Sequence, residues 1–275
     1  MGLPAEVAAA SKAAATRGVL RSVCDLLEDG ATHVGVACDT VIESFRNDLW
    51  PTYKTGEGIE PALKNQFPVV ERALEAMGVT VWGMLDLEAD DALATAAARA
   101  AADEGVERVV ICTPDKDLAQ CVVGTRIVQL DRRAASIRDE DGVRARFGVH
   151  PRSIPDYLAL VGDSADGFPG LPGWGAKSAA SVLARWGTIE AIPPDPAGWD
   201  VAVRGAARLS SVLEEGREVV ARFKVLATLV DDAAGVLEDG PATLRWTGPR
   251  DDFAEVCADL DAPELPTRVA AIRPS

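Results

Sequence analysis

The sequence is poor in the residues that most often bind transition metals. Its 275 residues include only two histidines, His33 and His150, and five cysteines that form no C-x-x-C pair. Structural zinc sites combine four Cys and His ligands at close spacing, so no zinc site is expected. The cysteine count is odd and the cysteines are scattered, which favours reduced thiols and a cytoplasmic location. Cys38 and Cys112 lie in apolar runs and are predicted to be core thiols.

Positive charge is also scarce. Lys and Arg number 28 against 43 Asp and Glu, which gives a formal net charge of −15. A chain this acidic cannot coat nucleic acid by charge alone, so any DNA contact must be local. No run of 18 apolar residues occurs, and Glu6 and Lys12 interrupt the Ala-rich N-terminus. Neither a membrane span nor a signal peptide is therefore predicted.

The order of predicted elements indicates an α/β fold with a parallel sheet. Hydrophobic periodicity and glycine stop signals predict helices over 4–27, 60–77 and 88–104, and strands over 33–38, 79–82, 108–113 and 126–130. From residue 139 onward helices follow one another, over 176–186, 199–214 and 216–229. We therefore expect a metal-binding α/β domain (1–138), a helical DNA-binding region (139–230) and a polar tail (231–275) that the patterns do not place.

Carboxylates recur where parallel strands end or helices begin. They are Asp39, Glu88, Asp90, Asp91, Asp115, Asp117, Asp163 and Asp166. In an open α/β sheet the carboxyl ends of the strands border one crevice, where clustered carboxylates repel unless a cation joins them. A site made only of oxygen ligands favours Mg²⁺ or Mn²⁺, and two such ions suit phosphoryl chemistry.

A purely structural role competes with metal binding for some of these acids. Glu88, Asp90 and Asp117 could cap helices and complement the helix dipole. The acids at 139–141 are predicted to be a solvated helix start. The metal hypothesis depends on the repeated placement of acids at strand ends.

A loop rich in glycine spans residues 162–178. It is neither a Walker A loop nor a dinucleotide fingerprint, because Ala176 separates Gly175 from Lys177 and Ser178 replaces a third glycine. Gly173-x-Gly175-x-Lys177-Ser178 opens a predicted helix, so backbone N–H groups, the helix N-terminus and one ammonium could bind a phosphate. The alternative is a tight interhelical turn with an incidental lysine.

Four motifs together resemble the bacterial 5′-3′ exonuclease and flap endonuclease family, such as the 5′-nuclease domain of DNA polymerase I, over about residues 16–192. They are Asp39 followed by Ser44-Phe45-Arg46 and Tyr53-Lys54; Glu88-Ala89-Asp90-Asp91; Thr113-Pro114-Asp115-Lys116-Asp117-Leu118; and Gly162-Asp163-x-x-Asp166 with Pro169-Gly170 and the glycine loop. The resemblance implies a PIN-like nuclease domain followed by a helix-hairpin-helix region.

The resemblance also implies residue roles. The eight acids would hold two Mg²⁺ or Mn²⁺ ions, and Arg46 and Lys54 would face the scissile phosphate as catalytic residues. Tyr53 would stack on a base, and Gly173, Gly175, Lys177 and Ser178 would bind duplex DNA, with K⁺ at the hairpin. The Arg-rich stretch at 126–152 could add DNA contacts. The expected partner is DNA with 5′ ends or flaps, and the expected setting is DNA replication and repair. The protein would be a cytoplasmic monomer acting alone or with a separate DNA polymerase.

Three departures from the family pattern accompany the resemblance. No Asp-Gly strand precedes Asp39, so the first strand and one ligand are expected to be missing. Glu57 stands where a basic residue is usual, and Gly167 and Trp174 replace an asparagine and an aliphatic residue. Two alternatives to the nuclease hypothesis follow: a catalytically impaired DNA-structure binder, and another metal-dependent phosphotransferase, which the glycine loop disfavours.

Overall fold

A computed structural model of the chain describes residues 13–273. In chain order the helices are α1 (Ala14–Glu28), α2 (Phe45–Leu49), α3 (Pro61–Lys64), α4 (Phe67–Ala76), α5 (Ala89–Ala102), α6 (Glu140–Phe147), α7 (Ile154–Val161), α8 (Ala176–Trp186), α9 (Ala206–Glu215), α10 (Arg217–Ala227), α11 (Phe253–Asp259) and α12 (Leu265–Ala271). The strands are β1 (Gly35–Asp39), β2 (Thr80–Met84), β3 (Val109–Ile111), β4 (Ile127–Asp131) and β5 (Ser136–Arg138). The helix predicted over 4–27 is seen from Ala14, and its earlier residues lie outside the described part.

The chain divides into two compact units. Among the described residues, the first contains 13–42, 56–89 and 237–273, and the second contains 43–55 and 90–236. Parallel strand pairs occur in both units, with helices between them along the chain, which confirms the predicted α/β fold class.

The first unit is built on the parallel pair β1 and β2, in which Asp39 lies opposite Met84 at the carboxyl ends. Its core consists of side chains from α1, α4, α11 and α12, among them Leu20, Leu74 and Phe253. The N-terminus of α1 is closed by the buried Gln66, whose Oε1 accepts hydrogen bonds from the backbone of Ala15 (3.1 Å) and Thr16 (3.2 Å). A remote side chain thus satisfies N–H groups that helix geometry leaves unpaired.

The end of the chain, which the sequence patterns do not place, belongs to the first unit. Val34 N–H donates to Leu244 O at 2.9 Å, and Trp246 N–H donates to Thr32 O at 2.9 Å. The Trp246 indole N–H donates to the Met77 carbonyl at 2.9 Å. The apolar residues of α11 and α12 then complete the core of this unit.

The second unit contains the sheet β3–β4–β5. Strands β3 and β4 are parallel, and β5, which was not predicted, is antiparallel to β4. Helices α7, α8, α9 and α10 share a second core, which includes Leu158, Val182, Leu213 and Phe223. The start of α6 at Glu140 agrees with the prediction for 139–141, because Asp139 accepts a hydrogen bond from Gly142 N–H at 2.9 Å as the N-cap.

Two predicted helices have different bounds in the structure. The helix expected over 60–77 is split into α3 and α4, and Pro68 lies in the first turn of α4, where a missing N–H is tolerated. The helix expected from 199 begins only at Ala206, after Gly205 at φ +77°. Both predictions were wrong at these bounds because the helical spacing of apolar residues continues through the segments that are not helical.

The cysteines differ in exposure. Cys24 and Cys257 are buried, Cys38 is half-buried and Cys112 is exposed, so the prediction of a core thiol at Cys112 was wrong. Strand β3 ends at Ile111, its one buried residue, and Cys112 follows the strand rather than belonging to it. Burial raises the pKa of Cys38 to about 11, with Glu71 and Asp39 adding to the effect. No helix between residues 13 and 273 is long and apolar enough to cross a membrane.

Candidate metal and DNA site

Three of the predicted acids converge in the second unit. Carboxylate oxygens of Asp117, Asp163 and Asp166 lie within 4.8 Å of one another. Asp117 begins a short 3-10 helix after β3, and Asp163 and Asp166 lie in the loop that follows α7. Asp117 is 6% exposed and Asp163 is 3% exposed. The cluster is therefore a largely buried concentration of negative charge.

The loop that carries Asp163 and Asp166 is fixed by its own backbone. Asp163 N–H donates to Phe168 O at 2.8 Å, and Phe168 N–H donates to Asp163 O at 3.0 Å. Gly167 has φ +82°, and a Cβ there would lie 1.9 Å from Thr52 O. The glycine that replaces the family's usual asparagine is thus required by a close backbone approach.

The segment before Asp117 is held by polar contacts. Asp115 Oδ1 accepts a hydrogen bond from Asp117 N–H at 3.0 Å. The buried amide of Gln129 on β4 donates to the Asp115 carbonyl. The Asp115 side chain is exposed, and it fixes the backbone from which the Asp117 carboxylate extends.

The electrostatics of the cluster are unfavourable without a cation. Asp117 Oδ1 and Asp163 Oδ2 are buried, and the described residues give them no hydrogen-bond donor apart from the Lys116 ammonium, which pairs with Asp163. Burial raises the pKa of Asp117 well above its usual range, and the Asp115, Asp166 and Asp163 carboxylates add to the rise. Such oxygens suit Mg²⁺ or Mn²⁺, which prefer carboxylate ligands, so the residues present fit a divalent ion.

Lys116 lies against this cluster. Its ammonium forms an ion pair with Asp163 Oδ2 and is 3.9 Å from Asp117 Oδ1. Burial lowers the pKa of Lys116, but the nearby Asp163, Asp117 and Asp115 carboxylates outweigh it, so the pKa is raised above its ordinary value. The side chain stays charged at neutral pH.

Arg46 and Asp91 form a buried ion pair. Arg46 Nη1 and Nη2 donate to Asp91 at 2.8 and 2.7 Å. Nε donates to the Leu226 carbonyl, and Nη2 also donates to the Thr228 carbonyl. Asp91 Oδ1 also accepts from Val230 N–H at 2.9 Å. Arg46 has 0% exposure and therefore presents no surface to a phosphate in this arrangement. Its catalytic role and metal ligation by Asp91 remain predictions that the placement does not favour.

Lys54 and Tyr53 follow the same segment. The Lys54 ammonium is 3.8 Å from Asp166 Oδ1, and its side chain is 25% exposed. Lys54 is thus beside the acid cluster, as its predicted role requires. The Tyr53 ring is 3% exposed and belongs to the core, so stacking on a base would need this ring to move.

The remaining predicted ligands are placed as follows. In the first unit Asp39 ends β1, and its Oδ1 accepts from Ala89 N–H at 2.6 Å, at the first residue of α5. Glu88 is 2% exposed. Asp90 lies in the first turn of α5, in the second unit. The cluster found among the described residues includes none of these three acids.

The glycine loop joins α7 to α8 as a helix-hairpin-helix. Gly173, Gly175 and Lys177 are exposed. Ser178 Oγ accepts from Gly175 N–H at 3.1 Å, which closes the start of α8. Trp174, the bulky replacement, is buried with its indole N–H donating to Leu209 O at 3.2 Å. The loop therefore offers one cation and an exposed helix N-terminus, the features expected of a phosphate contact.

The chain matches two known families in sequence. Residues 4–148 match the 5′-3′ exonuclease N-terminal resolvase-like domain, and residues 149–252 match the 5′-3′ exonuclease C-terminal SAM fold. This chain belongs to the 5′-3′ exonuclease family. Family membership confirms the resemblance on which the motif assignments were based.

Two curated relatives show the extent of the similarity. This exonuclease-family chain is 33% identical to DNA polymerase I of Mycobacterium bovis over 255 residues, covering 90% of the chain and 27% of the relative. It is 33% identical to the 5′-3′ exonuclease of Aquifex aeolicus over 177 residues, covering 64% of the chain and 60% of the relative. The chain thus spans about a quarter of the length of the polymerase.

A solved structure shares the fold of this exonuclease-family chain. It is the flap endonuclease of bacteriophage T5 in a complex with DNA and metal ions, with a TM-score of 0.58 and 17% identity. The match covers 90% of this chain and 89% of the phage enzyme. The predicted PIN-like domain with a following helical region is confirmed at the level of fold.

Two candidate residues of this family member were missed by sequence reasoning. Lys116 stands in the sequence only as part of a motif, and its ion-pair partner Asp163 is 47 residues away, so no local pattern indicates the contact. Arg208 is exposed in the first turn of α9, and its guanidinium would lie 3.3 Å from a Cβ at Gly173. No local pattern links Arg208 to the glycine loop, because the two are 35 residues apart in the chain.

Proposed function

We propose that this chain is a divalent-metal-dependent nuclease that hydrolyses DNA phosphodiesters near 5′ ends or flaps. One observation carries the proposal: carboxylate oxygens of the buried Asp117 and Asp163 and the half-buried Asp166 lie within 4.8 Å of one another in a 5′-3′ exonuclease family member. The complex of the phage flap endonuclease with DNA and metal ions supports both the cofactor and the substrate class.

The metal would be held first by Asp117, Asp163 and Asp166. Asp115 and Asp90, in the same unit, are proposed to contribute directly or through waters to the binding of two Mg²⁺ or Mn²⁺ ions, and Asp39 and Glu88 of the first unit stay predicted ligands. Bound metal activates a water and stabilises the leaving oxygen in such sites. The protein's part is to hold the carboxylates in place through the Asp163–Phe168 backbone pair and the Asp115–Asp117 hydrogen bond.

Lys54 is the basic residue that we propose to contact the scissile phosphate. Its ammonium is beside Asp166 and partly exposed, so it can neutralise charge that develops on the phosphate oxygens. We assign Arg46 and Asp91 a structural role instead. They hydrogen-bond to each other in the interior, so neither side chain presents its charge to a phosphate or a metal ion. Tyr53 is proposed to support Lys54 from the core, where the Lys54 ammonium lies 5.9 Å from its ring centroid.

DNA is proposed to be gripped at the helix-hairpin-helix. The phosphates of a duplex would contact Lys177, Ser178 at the helix start, the exposed backbone of Gly173 and Gly175, and the neighbouring Arg208. A bound K⁺ at the hairpin is proposed as a further contact. These contacts are local, as the net charge of −15 demands.

The setting follows from the relatives. Because the chain matches a quarter of DNA polymerase I, we propose action in DNA replication and repair alongside a separate polymerase activity. A cytoplasmic monomer completes the proposal, with duplex binding in residues 139–230 and a metal site that combines Asp117 of the region 1–138 with Asp163 and Asp166 of the region 139–230.

Cleavage of a labelled 5′-flap DNA with Mg²⁺ or Mn²⁺ tests the proposal. The wild-type protein should cleave, EDTA should stop cleavage, and Asp117→Asn should abolish it while leaving flap binding intact. Asp141→Asn is the matched control, since it removes an exposed carboxylate on α6 outside the cluster. Binding without cleavage under all metal conditions would support the impaired DNA-structure binder and reject the nuclease.

A further inference from the structure

Two buried carboxylate oxygens of the acid cluster face the same lysine. Lys116 ion-pairs with Asp163 Oδ2 and lies 3.9 Å from Asp117 Oδ1. Both oxygens are buried, and the described residues offer them no hydrogen-bond donor other than this lysine. The carboxylate side chains are 2% and 8% exposed, whereas the lysine side chain is 32% exposed. The ammonium therefore enters the cluster from the solvent side.

We propose that Lys116 is a built-in counter-ion, which occupies the cation position of the metal-free cluster and must withdraw before a divalent ion enters. Carboxylate oxygens bind Mg²⁺ at about 2.0–2.1 Å. An ammonium in contact with the same Asp163 oxygen would stand within a few ångströms of that ion. Two cations so close in a shielded site repel strongly, so the ammonium and the metal exclude each other.

The structure allows this exchange without refolding. The lysine stem is flexible and about a third of the side chain is already exposed. The backbone at Asp117 is held by Asp115, and the Asp163 loop is held by Phe168, so neither contact depends on the lysine. Only one side chain has to swing outward.

The exchange has two consequences. In the metal-free protein the ammonium offsets repulsion among buried carboxylates, which stabilises the fold. During metal binding the lost ion pair lowers the apparent affinity for the ion. Lys116 would thus set how much free Mg²⁺ or Mn²⁺ the site needs.

The inference depends on the proposed function only in that the cluster binds a divalent ion. The test measures Mn²⁺ binding by calorimetry without DNA, together with thermal unfolding in EDTA. Lys116→Met removes the charge but keeps the apolar stem, Lys116→Arg keeps the charge, and Lys64→Met is a control at an exposed lysine of α3. Lys116→Gln replaces the Met variant if the latter does not fold.

Lys116→Met should bind Mn²⁺ roughly tenfold more tightly, the gain expected when one charge-assisted contact no longer has to be broken. Its melting temperature in EDTA should fall, and Mn²⁺ should raise it by more than in the wild type. Lys116→Arg and Lys64→Met should bind Mn²⁺ like the wild type.

Equal or weaker Mn²⁺ binding by Lys116→Met would overturn the inference. Absence of Mn²⁺ binding in every variant would overturn both the inference and the metal site. Tighter binding by Lys116→Met in a protein that cleaves no flap DNA would uphold the counter-ion and reject the nuclease activity alone.

Discussion

Arg46 and Asp91 form a bidentate ion pair that is closed off from solvent. The two N–O distances are 2.8 and 2.7 Å, and the side chains are 1% and 0% exposed. The pair also binds the Leu226 and Thr228 carbonyls and the Val230 amide, so it joins α2 and α5 to the end of α10. A residue expected at the phosphate is therefore part of the interior of the second unit.

Replacing Arg46 should destabilise the protein, whatever it does to catalysis. Arg46→Met leaves Asp91 charged, buried and without its cation, which typically costs about 3–5 kcal/mol. Urea unfolding monitored by circular dichroism measures the loss. The double variant Arg46→Met/Asp91→Leu should recover much of it, because no unpaired charge remains.

A surface ion pair provides the control for Arg46. Arg144 pairs with Glu140 at 3.0 Å, with side chains 50% and 29% exposed. Arg144→Met should change the free energy of unfolding by no more than about 1 kcal/mol. If Arg46→Met were equally mild while cleavage fell, the interior assignment would be wrong and a direct contact with phosphate would regain support.

The stability of the metal-free protein should fall with rising pH because of Asp117. Its pKa is raised above the ordinary 3.8 by burial and by three neighbouring carboxylates. Between the ordinary pKa and the raised one, the folded state binds more protons than the unfolded state, so the free energy of unfolding decreases as pH rises. Thermal unfolding in EDTA from pH 4 upward measures this contribution.

Asp117→Asn should remove that slope and raise metal-free stability at neutral pH. Saturating Mg²⁺ should also flatten it in the wild type, because the ion favours the ionised carboxylates. Asp141→Asn should leave the wild-type profile unchanged. A wild-type slope that persists in Asp117→Asn would assign it to another group.

Lys177 and Arg208 should each contribute a phosphate contact to the binding of duplex DNA. Lys177→Gln and Arg208→Gln should each weaken binding to duplexes of any sequence. Each should also reduce the slope of log affinity against log salt by about 0.9 if one phosphate contact is lost. Fluorescence anisotropy across a salt series measures both effects.

Arg185→Gln is the matched control for these variants. It lowers the net charge by the same unit on α8, but its guanidinium already contacts Asp200 at 2.8 Å. Its salt slope should stay near that of the wild type. Equal changes in all three variants would indicate a general charge effect and remove the hairpin contact.

Gly167→Ala should disturb the metal site through the backbone. At φ +82° a Cβ costs about 1–3 kcal/mol in conformational strain, and here it would also lie 1.9 Å from Thr52 O. The loop between Asp163 and Phe168 would have to shift, so both the free energy of unfolding and Mn²⁺ affinity should fall. Calorimetry and urea unfolding report the two quantities.

Gly187→Ala is the control that distinguishes backbone conformational strain from the steric clash with Thr52. Gly187 has φ +80° but nothing lies within 4 Å of the added Cβ. This variant should lose stability by the strain alone and keep its Mn²⁺ affinity. A loss of affinity as large as that in Gly167→Ala would show that the Thr52 approach is not what positions the acids.

The sequence by itself determined the family, the α/β class and the places where acids and glycines are needed. Strand ends, helix starts and the glycine loop are local features, so Asp117, Asp163 and Lys177 could be chosen from spacing and motif alone. Periodicity also located most helices. It could not show that the helix predicted over 60–77 is divided near Gln66, whose side chain caps the N-terminus of α1.

Only the tertiary structure decided which charged groups face one another. Arg46 and Asp91 are 45 residues apart in the chain. Gly173 and Arg208 are 35 residues apart. No local sequence pattern therefore predicts either contact. The same holds for the final helices, whose apolar side chains find their partners in the first unit. Burial turns an expected phosphate ligand into an internal ion pair, because a charge removed from water must be paired within the protein.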